Sequence, residues 1–159
     1  MNIKIICVGK LREQWHKQAC DEYIKRLSRY CKLEIRQVDD ERPKGKEGAA
    51  EKQRILEAEG KRILSALAEN ETVVVLDVRG NAVSSEEMAE LLKGLVQRGK
   101  SSIAIIIGGS LGLSEDVLKR ADIRISLSKM TFNHMLARVI ILEQIYRCFK
   151  IISNETYHK

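Results

Sequence analysis

The sequence predicts an α/β protein built on a mostly parallel sheet with helices on both of its faces. Segments rich in β-branched residues alternate with segments of helical period along all 159 residues, which is typical of this class. Two strand segments, 73–76 and 103–107, are apolar without interruption, so they are expected in the middle of the sheet. The length and the lack of a long linker predict a single domain over residues 1–159.

Strands and helices are expected to alternate along the chain. The strands are expected at residues Asn2–Val8, 33–38, 72–78, Ser102–Ile107 and 123–127. Helices whose apolar residues recur every three or four positions are expected at 11–30, 49–68 and 131–152. Ser84 with Glu87 predicts a capping box at the start of a further helix, and Ser114 predicts the cap of a short one. Residues 39–48, with Pro43 and dense charge, are expected to form a loop.

The chain is moderately basic, with 28 Lys and Arg residues against 22 Asp and Glu residues and a formal net charge of +6. This excess fits a polyanionic partner such as nucleic acid, although many soluble proteins carry such a charge without a specific role. The apolar runs have the length of strands and are too short to span a membrane, and the first residues lack the apolar core of a signal peptide. No membrane partner is therefore expected.

The cysteines and histidines predict no metal site. No two cysteines form a Cys-x-x-Cys pair, and His16, His134 and His158 lie far apart in the sequence. Without a secretory signal the thiols are expected to be reduced in a cytoplasmic protein, and Cys7 and Cys148 are expected to pack as small apolar residues. The cysteines are Cys7, Cys20, Cys31 and Cys148.

Three segments follow strands of the expected sheet, at residues 76–80, 107–112 and 127–132. Ligands of open parallel sheets bind at the carboxyl ends of the strands, and a Gly-Gly-Ser-x-Gly turn such as 108–112 lets a backbone approach a ligand closely. The same turn would also serve as a plain connection between strand and helix. The usual dinucleotide fingerprint, the P-loop and the nucleophile elbow are all missing from the sequence, which disfavours those three enzyme classes.

The last helix and the tail after it allow two interpretations each. The helix is apolar around nearly its whole circumference, so it is expected to be buried on more than one side, either in a dimer interface or in the core of a monomer. The polar tail ends in Tyr157, His158 and Lys159. It is either a frayed terminus or a contact element for a phosphate or a base.

These segments together resemble a known family. Residues 107–112, residues 126–134 and the final Tyr157-His158, with residues 6–11 at the start, are similar to the ribosomal RNA large subunit methyltransferase H family. This family belongs to the SPOUT class of knotted methyltransferases. The resemblance extends from the first strand to the last residues, and its most specific part is the Ser-Leu-Ser-Lys-Met-Thr-Phe segment at 126–132. Asn133 stands where relatives commonly have proline.

The resemblance implies an α/β fold with a C-terminal trefoil knot, a homodimer with each site at the subunit interface, and S-adenosylmethionine as the cofactor. It implies as substrate a pseudouridine of 23S ribosomal RNA, methylated at N3 on the assembled ribosome. The tail Tyr157, His158 and Lys159 matches a family tail linked to activity, so these are the candidate catalytic residues. The implied cofactor-binding residues are Leu76, Gly108, Leu127, Ser128, Lys129, Met130, Thr131 and Phe132.

Several roles stay open at this point. The methyl group of the cofactor is already activated, so the protein is expected to supply position and electrostatics, and His158 is a candidate base for the N3 proton. Arg138 and Arg147 are expected to face the dimer partner or the RNA, or else to form solvated ion pairs. Two other functions are a non-catalytic ribosome-binding module and a nucleotide-binding enzyme of flavodoxin-like topology, which would need a phosphate cradle after the first strand, where the chain has only Gly9-Lys10.

Overall fold

A five-stranded sheet, parallel in every pairing, forms the centre of the computed structural model, which describes residues 1–44 and 48–157. Its strands are β1 (Asn2–Val8), β2 (Lys32–Val38), β3 (Thr72–Ala82), β4 (Ser102–Ile107) and β5 (Ile123–Ser126). Their spatial order is β2-β1-β4-β3-β5. The two uninterrupted apolar segments belong to β3 and β4, and neither strand lies at an edge, which confirms their expected internal positions.

Helices cover both faces of the sheet, as the sequence predicts. The helices are α1 (Gln14–Leu27), α2 (Ala49–Ser65), α3 (Ser85–Gln97), α4 (Glu115–Arg120) and α5 (His134–Ile152). Buried residues of α1, α3 and α5 share one core cluster, whereas those of α2 and α4 belong to a second cluster. On the face of the sheet that α1, α3 and α5 cover, α5 packs against both other helices, so it is the middle one.

Each inner strand contributes to both cores because successive side chains of a strand point to opposite faces. In β1, Ile3 and Ile5 belong to the core under α1, α3 and α5, while Ile6 and Val8 belong to the core under α2 and α4. The same alternation runs through β4. A strand that is buried on both sides has no place for a polar residue, which explains the uninterrupted apolar segments.

The expected N-caps of α3 and α4 are confirmed. The amide of Glu87 donates to Ser84 Oγ at 3.1 Å, and the Ser84 amide donates to Glu87 Oε2 at 2.6 Å, so both halves of the capping box are formed. At the start of α4 the amide of Val117 donates to Ser114 Oγ at 3.4 Å. These side chains pair amides that have no partner inside the helix.

The last helix begins at His134, so the expectation that it begins at Thr131 is wrong. Asn133 is the N-cap, and its Oδ1 accepts the amide of Met135 at 2.7 Å. An asparagine that pairs a first-turn amide fixes the start of the helix at the residue after it. The first two helices are also shorter than expected, ending at Leu27 and Ser65.

The third strand is longer than expected because it pairs with β5 in two places. Ile125 of β5 stands opposite Leu76, and after an irregularity in β3 it also stands opposite Asn81. Between these pairings the backbone comes so close to β5 that a Cβ added at Gly80 would lie 2.8 Å from the carbonyl carbon of Ile125. Only a glycine leaves room for this approach.

The cysteines are unpaired, and Cys7 and Cys148 pack in the main core as small apolar residues, as expected. Of the expected loop 39–48, residues 45–47 lie outside the described part of the chain. No helix within residues 1–44 and 48–157 has the length and apolar character needed to cross a membrane. The same residues contain no group of three or more His, Cys, Asp or Glu side chains placed to hold a metal ion.

Candidate functional site

A cavity of about 590 Å³ opens at the carboxyl ends of β3, β4 and β5, and we call it the strand-end cavity. All three segments that follow strands in the sequence reach it, together with the first turn of α5. Its size lies within the range of small-molecule sites. The lining segments are residues 76–79, 107–113, 126–128 and 130–134, with Leu118 and Ala137.

The glycine turn after β4 forms one wall of this cavity. The amide of Gly112 donates to the Gly109 carbonyl at 3.2 Å, and Gly112 has a φ of +91°, which an L side chain rarely adopts. A Cβ added at Gly108 would lie 2.8 Å from the carbonyl carbon of Gly112 and still closer to its oxygen. Glycine at 108 and 112 therefore lets the turn fold back on itself.

The segment after β5 forms the opposite wall. Ser126 Oγ donates to the Ser128 carbonyl at 2.9 Å, and Ser128 Oγ accepts the amide of Met130 at 3.0 Å, so two serines hold the loop in shape. The structure brings the candidate cofactor residues Leu76, Gly108, Leu127, Ser128, Met130, Thr131 and Phe132 together around the cavity. Lys129 belongs to the same loop but does not line the cavity.

Asp77 is the one acidic side chain among the lining residues of this cavity. Its Oδ1 accepts the amide of Arg79 at 3.0 Å, which holds the chain in a turn directly after the apolar part of β3. Only 10% of the Asp77 side chain is exposed, against 80% of the Arg79 side chain, so the carboxylate is the more enclosed charge. Arg79 Nε lies 3.9 Å from Asp77 Oδ1, but it belongs to the exposed side chain, so the enclosed carboxylate still favours a ligand with a positive centre.

His134 lines the cavity from the first position of α5, and sequence reasoning did not include it among the site residues. Burial lowers the pKa of its imidazole, and the nearby Arg138 guanidinium lowers that pKa further. The ring is therefore neutral at pH 7 and accepts or donates a hydrogen bond without carrying charge. The sequence signal that could have found it is its place at the end of the 126–134 segment, on which the resemblance depends.

The tail residue Tyr157 packs against α5, away from the strand-end cavity of its own chain. Its ring lies edge-on to Tyr146, with centroids 4.9 Å apart, and its hydroxyl donates to Glu143 Oε1 at 3.2 Å. Glu143 is nine residues beyond His134, which corresponds to about 13 Å along a helix. The structure therefore does not bring Tyr157 to the candidate cofactor residues, and His158 and Lys159 lie outside the described residues.

The two arginines of α5 have different surroundings. Arg138 is 1% exposed, and its Nη2 donates to the Gly9 carbonyl at 2.9 Å, so the expectation of a solvated ion pair is wrong for this residue. Arg147 pairs with Glu143 through an Nε–Oε1 hydrogen bond of 3.0 Å and lies 4.8 Å from the ring centroid of Tyr157. Burial, above all, raises the pKa of the Tyr157 hydroxyl.

Three curated relatives match this chain over its whole length. A protein of Clostridium novyi (strain NT) is 56% identical over 161 residues and is named "Ribosomal RNA large subunit methyltransferase H". One of Clostridium kluyveri (strain NBRC 12016), with the same name, is 52% identical over 159 residues. One of Clostridium perfringens (strain SM101 / Type A), named "Ribosomal RNA large subunit methyltransferase H 1", is 51% identical over 159 residues. Each alignment covers 100% of this chain and 100% of the relative.

Two solved structures share the fold at low sequence identity. A probable methylase family protein from Haemophilus influenzae Rd KW20 superposes with a TM-score of 0.56 at 15% identity, covering 99% of this chain and 70% of that one. A probable methyltransferase from Bordetella pertussis Tohama I gives a TM-score of 0.58 at 14% identity, covering 92% and 95%. At these identities the likeness shows the fold alone.

A family model described as "Predicted SPOUT methyltransferase" matches residues 1–158. The match covers the glycine turn, the serine loop after β5 and Tyr157, the segments on which the resemblance in the sequence depends. Together with the full-length relatives it confirms that resemblance. The chain therefore belongs to the SPOUT methyltransferase family and is an enzyme.

Proposed function

We propose that this chain, acting as one domain over residues 1–159, transfers a methyl group from S-adenosylmethionine to N3 of a pseudouridine in 23S ribosomal RNA of assembled ribosomes. The observation that carries the proposal is the strand-end cavity, which is lined by seven of the eight residues that the resemblance implies for cofactor binding and lies where parallel sheets bind ligands. The names of relatives at 51–56% identity support ribosomal RNA of the large subunit as the substrate. The cytoplasm is the compartment that such a substrate requires.

The lining of the cavity fits this cofactor. Leu76, Leu127 and Phe132 supply apolar walls for a flat base, and the loops around Gly108 and Ser128 expose backbone groups that can bond its edge. A Cβ at Gly112 would meet no atom within 4 Å, so the turn leaves open space on that side. The enclosed Asp77 carboxylate suits a ligand that carries a sulfonium charge.

The chemistry assigns mainly positioning roles to this chain. When bound, S-adenosylmethionine supplies a methyl group that is already activated by the sulfonium charge. The walls and loops hold the reacting groups in line, which supplies much of the rate enhancement of a displacement reaction. A base must also accept the N3 proton, and we assign this role to His158, with Tyr157 and Lys159 binding the RNA.

We infer that the working enzyme is a homodimer in which the tail of each chain serves the site of its partner. Two observations support this arrangement. Tyr157 is held against α5 by Glu143 and Arg147, away from the strand-end cavity of its own chain. In addition, no residue of α5 is fully exposed, yet apolar side chains such as Val139 and Ile140 are only half-buried, which leaves a surface that a second copy would cover.

We also infer that the C-terminal part of the chain forms the trefoil knot of its family. The double pairing of Ile125 with Leu76 and with Asn81 supports this, because β3 pairs with β5 both before and after the irregularity between these two residues. The absence of a side chain at Gly80 allows the two backbones to approach each other. A chain that threads such a loop is one of the rare exceptions to unknotted topology.

The test is methyl transfer to ribosomes. Ribosomes that lack the modification are incubated with the enzyme and labelled S-adenosylmethionine, and the labelled nucleotide is located by digestion and mass spectrometry. We expect label at N3 of a single pseudouridine of 23S RNA, and none with a Gly108→Val variant, whose side chain would collide with Gly112. Label in another molecule, or on another atom, would refute the substrate. A ribosome-binding module without catalysis would bind ribosomes and transfer no label.

A further inference from the structure

A second cavity, of about 450 Å³, lies between α1 and α5 at the carboxyl ends of β1 and β2, and we call it the basic cavity. It is separate from the strand-end cavity, but α5 contributes to both, because Ala137 lines one and Arg138 lines the other. The proposed reaction assigns no role to it. Its charged and polar lining residues are Lys10, Lys17, Asp21, Gln37 and Arg138.

The arrangement of charge in the basic cavity points to an anion. Lys10 and Lys17 are exposed at the rim, and neither ammonium group forms an ion pair with another residue of the described chain. With Arg138 they give three positive charges against the single negative charge of Asp21. Holding a lysine side chain in one conformation loses rotamer entropy. A bound anion offsets this loss, because it forms charge-assisted hydrogen bonds with both ammonium groups.

Arg138 adds a positive charge that is buried and therefore little screened by water. Its side chain is 1% exposed, and its Nη2 donates to backbone carbonyls of residues 8 and 9, but its Nε and Nη1 have no hydrogen-bond partner among the described residues. A buried guanidinium without a carboxylate partner is costly, because it loses hydration and gains no equivalent bond. Its field lowers the pKa of the nearby His134, in addition to the larger effect of burial, so the charge acts on its surroundings.

We propose that the basic cavity binds a backbone phosphate of the RNA substrate. Lys10 and Lys17 contact the phosphate at the rim, and the buried charge of Arg138 strengthens the positive potential beneath them. The Gly9 carbonyl, held by Arg138, fixes the backbone just before Lys10. The inference rests on the proposed function for the identity of the RNA, but it concerns binding rather than methyl transfer.

The test is ribosome binding without cofactor. Wild type, a Lys10→Ala/Lys17→Ala variant and a Lys61→Ala/Lys100→Ala variant are compared by co-sedimentation with large ribosomal subunits over a range of salt concentrations. Both double variants remove two exposed lysines, but Lys61 is on α2, on the other face of the sheet, and Lys100 precedes β4, at the amino ends of the strands. Calorimetry with S-adenosylmethionine then shows whether the cofactor site is intact in each variant.

We expect the Lys10→Ala/Lys17→Ala variant to bind ribosomes at least about tenfold more weakly. Its affinity should also depend less steeply on salt, with a slope smaller by about one for each lysine that no longer pairs with a phosphate. The Lys61→Ala/Lys100→Ala variant should change ribosome affinity by less than about twofold, and cofactor affinity should be the same in all three proteins. An Asp21→Asn variant should bind ribosomes more tightly, because it removes the one negative charge of the cavity.

Three outcomes would overturn the inference: equal ribosome binding by both double variants, loss of cofactor affinity in the Lys10→Ala/Lys17→Ala variant, or no measurable ribosome binding by wild type. Inorganic phosphate serves as a further probe. If it raises the melting temperature of wild type but not of the Lys10→Ala/Lys17→Ala variant, while both bind ribosomes equally, the cavity takes a free anion and not RNA. If ribosome binding depends on the two lysines but no methyl group is transferred, the proposed function fails and the phosphate site stands.

Discussion

Glu59 is a buried carboxyl group next to the glycine turn of the strand-end cavity. It is 5% exposed, and its Oε1 accepts the amide of Glu41 at 3.0 Å, while its Oε2 has no hydrogen-bond partner among the described residues. A Cβ added at Gly109 would lie 2.8 Å from that Oε2, so the carboxyl group packs directly against the turn. Burial raises the pKa of Glu59, because the charged form loses its hydration.

These surroundings predict how stability responds to pH in a Glu59→Gln variant. Because the folded pKa lies above that of the unfolded chain, the free energy of unfolding is highest below the unfolded pKa and falls as pH rises through the folded pKa. The amide keeps the bond to Glu41 and removes the charge. We expect Glu59→Gln to raise the free energy of unfolding by about 1 kcal/mol at pH 8 and not at pH 4. Urea unfolding at both pH values measures this.

The control is Glu69→Gln, since Glu69 is exposed and its change should leave stability within about 0.5 kcal/mol at either pH. If Glu59→Gln destabilised the protein equally at both pH values, Glu59 Oε2 would form an interaction that an amide nitrogen cannot replace, and the prediction would be wrong. The sequence alone could not identify Glu59, because α2 has several acids and only the packing of the glycine turn against it distinguishes this one.

Two glycines inside helices should respond in opposite ways to the same substitution. A Cβ at Gly94 of α3 would have only the flexible end of Arg98 near it, at 3.8 Å, whereas one at Gly60 of α2 would lie 2.9 Å from Ser114 Cβ and closer still to its hydroxyl. We expect Gly94→Ala to stabilise the protein by about 0.5–1 kcal/mol, since alanine is the better helix former.

Gly60→Ala should destabilise the protein by about 1–3 kcal/mol, because α2 and α4 must separate to admit the methyl group. Each variant serves as the control of the other, since both remove a glycine from a helix interior. Thermal unfolding followed by circular dichroism shows whether the melting temperature rises or falls in each variant. Shifts in the same direction would show that helix propensity, and not the contact with Ser114, decides the result.

Elements that depend on local signals were predictable from the sequence. The capping serines Ser84 and Ser114 and the apolar strands β1 and β4 occur where the sequence predicts them. The extension of β3 to Ala82 was not predictable, because it depends on where β5 runs about forty residues later in the chain. The start of α5 was missed by three residues, since Asn133 caps it with a side chain that also suits a loop.

At the scale of the whole molecule, the topological rule for parallel sheets predicted that the segments after β3, β4 and β5 lie together, and they line one cavity. The sequence could not show that Tyr157 is held against α5, because its contacts with Tyr146 and Glu143 depend on how the tail turns back after the helix. It also could not indicate the basic cavity, since Arg138 and the two rim lysines come from distant parts of the chain. Such long-range contacts have no local pattern.

The proposed exchange of tails between partners predicts rescue of activity in mixed dimers. One variant, Gly108→Val, lacks a working cofactor turn but keeps its tail, and the other lacks residues 157–159 but keeps the turn. Each should be inactive alone. In dimers formed after mixing and refolding equal amounts, half are mixed and each of these has one complete site, so we expect about a quarter of wild-type methyl transfer.

If each tail serves the cavity of its own chain, mixing restores no activity. A control mixture of the truncated variant with a variant that carries both changes should also stay inactive, because no complete site forms in it. Cofactor binding to the truncated variant should be nearly unchanged, which calorimetry checks.

The strand order of the sheet has a consequence for how the protein is made. The first strand, β1, pairs on one side with β2 but on the other side with β4, which begins only at Ser102. During synthesis one edge of this apolar strand therefore stays unpaired until about a hundred further residues have left the ribosome. The nascent chain depends on late completion of its sheet, so slow translation between β2 and β4 should favour aggregation, and chaperones that bind exposed strand edges should raise the yield.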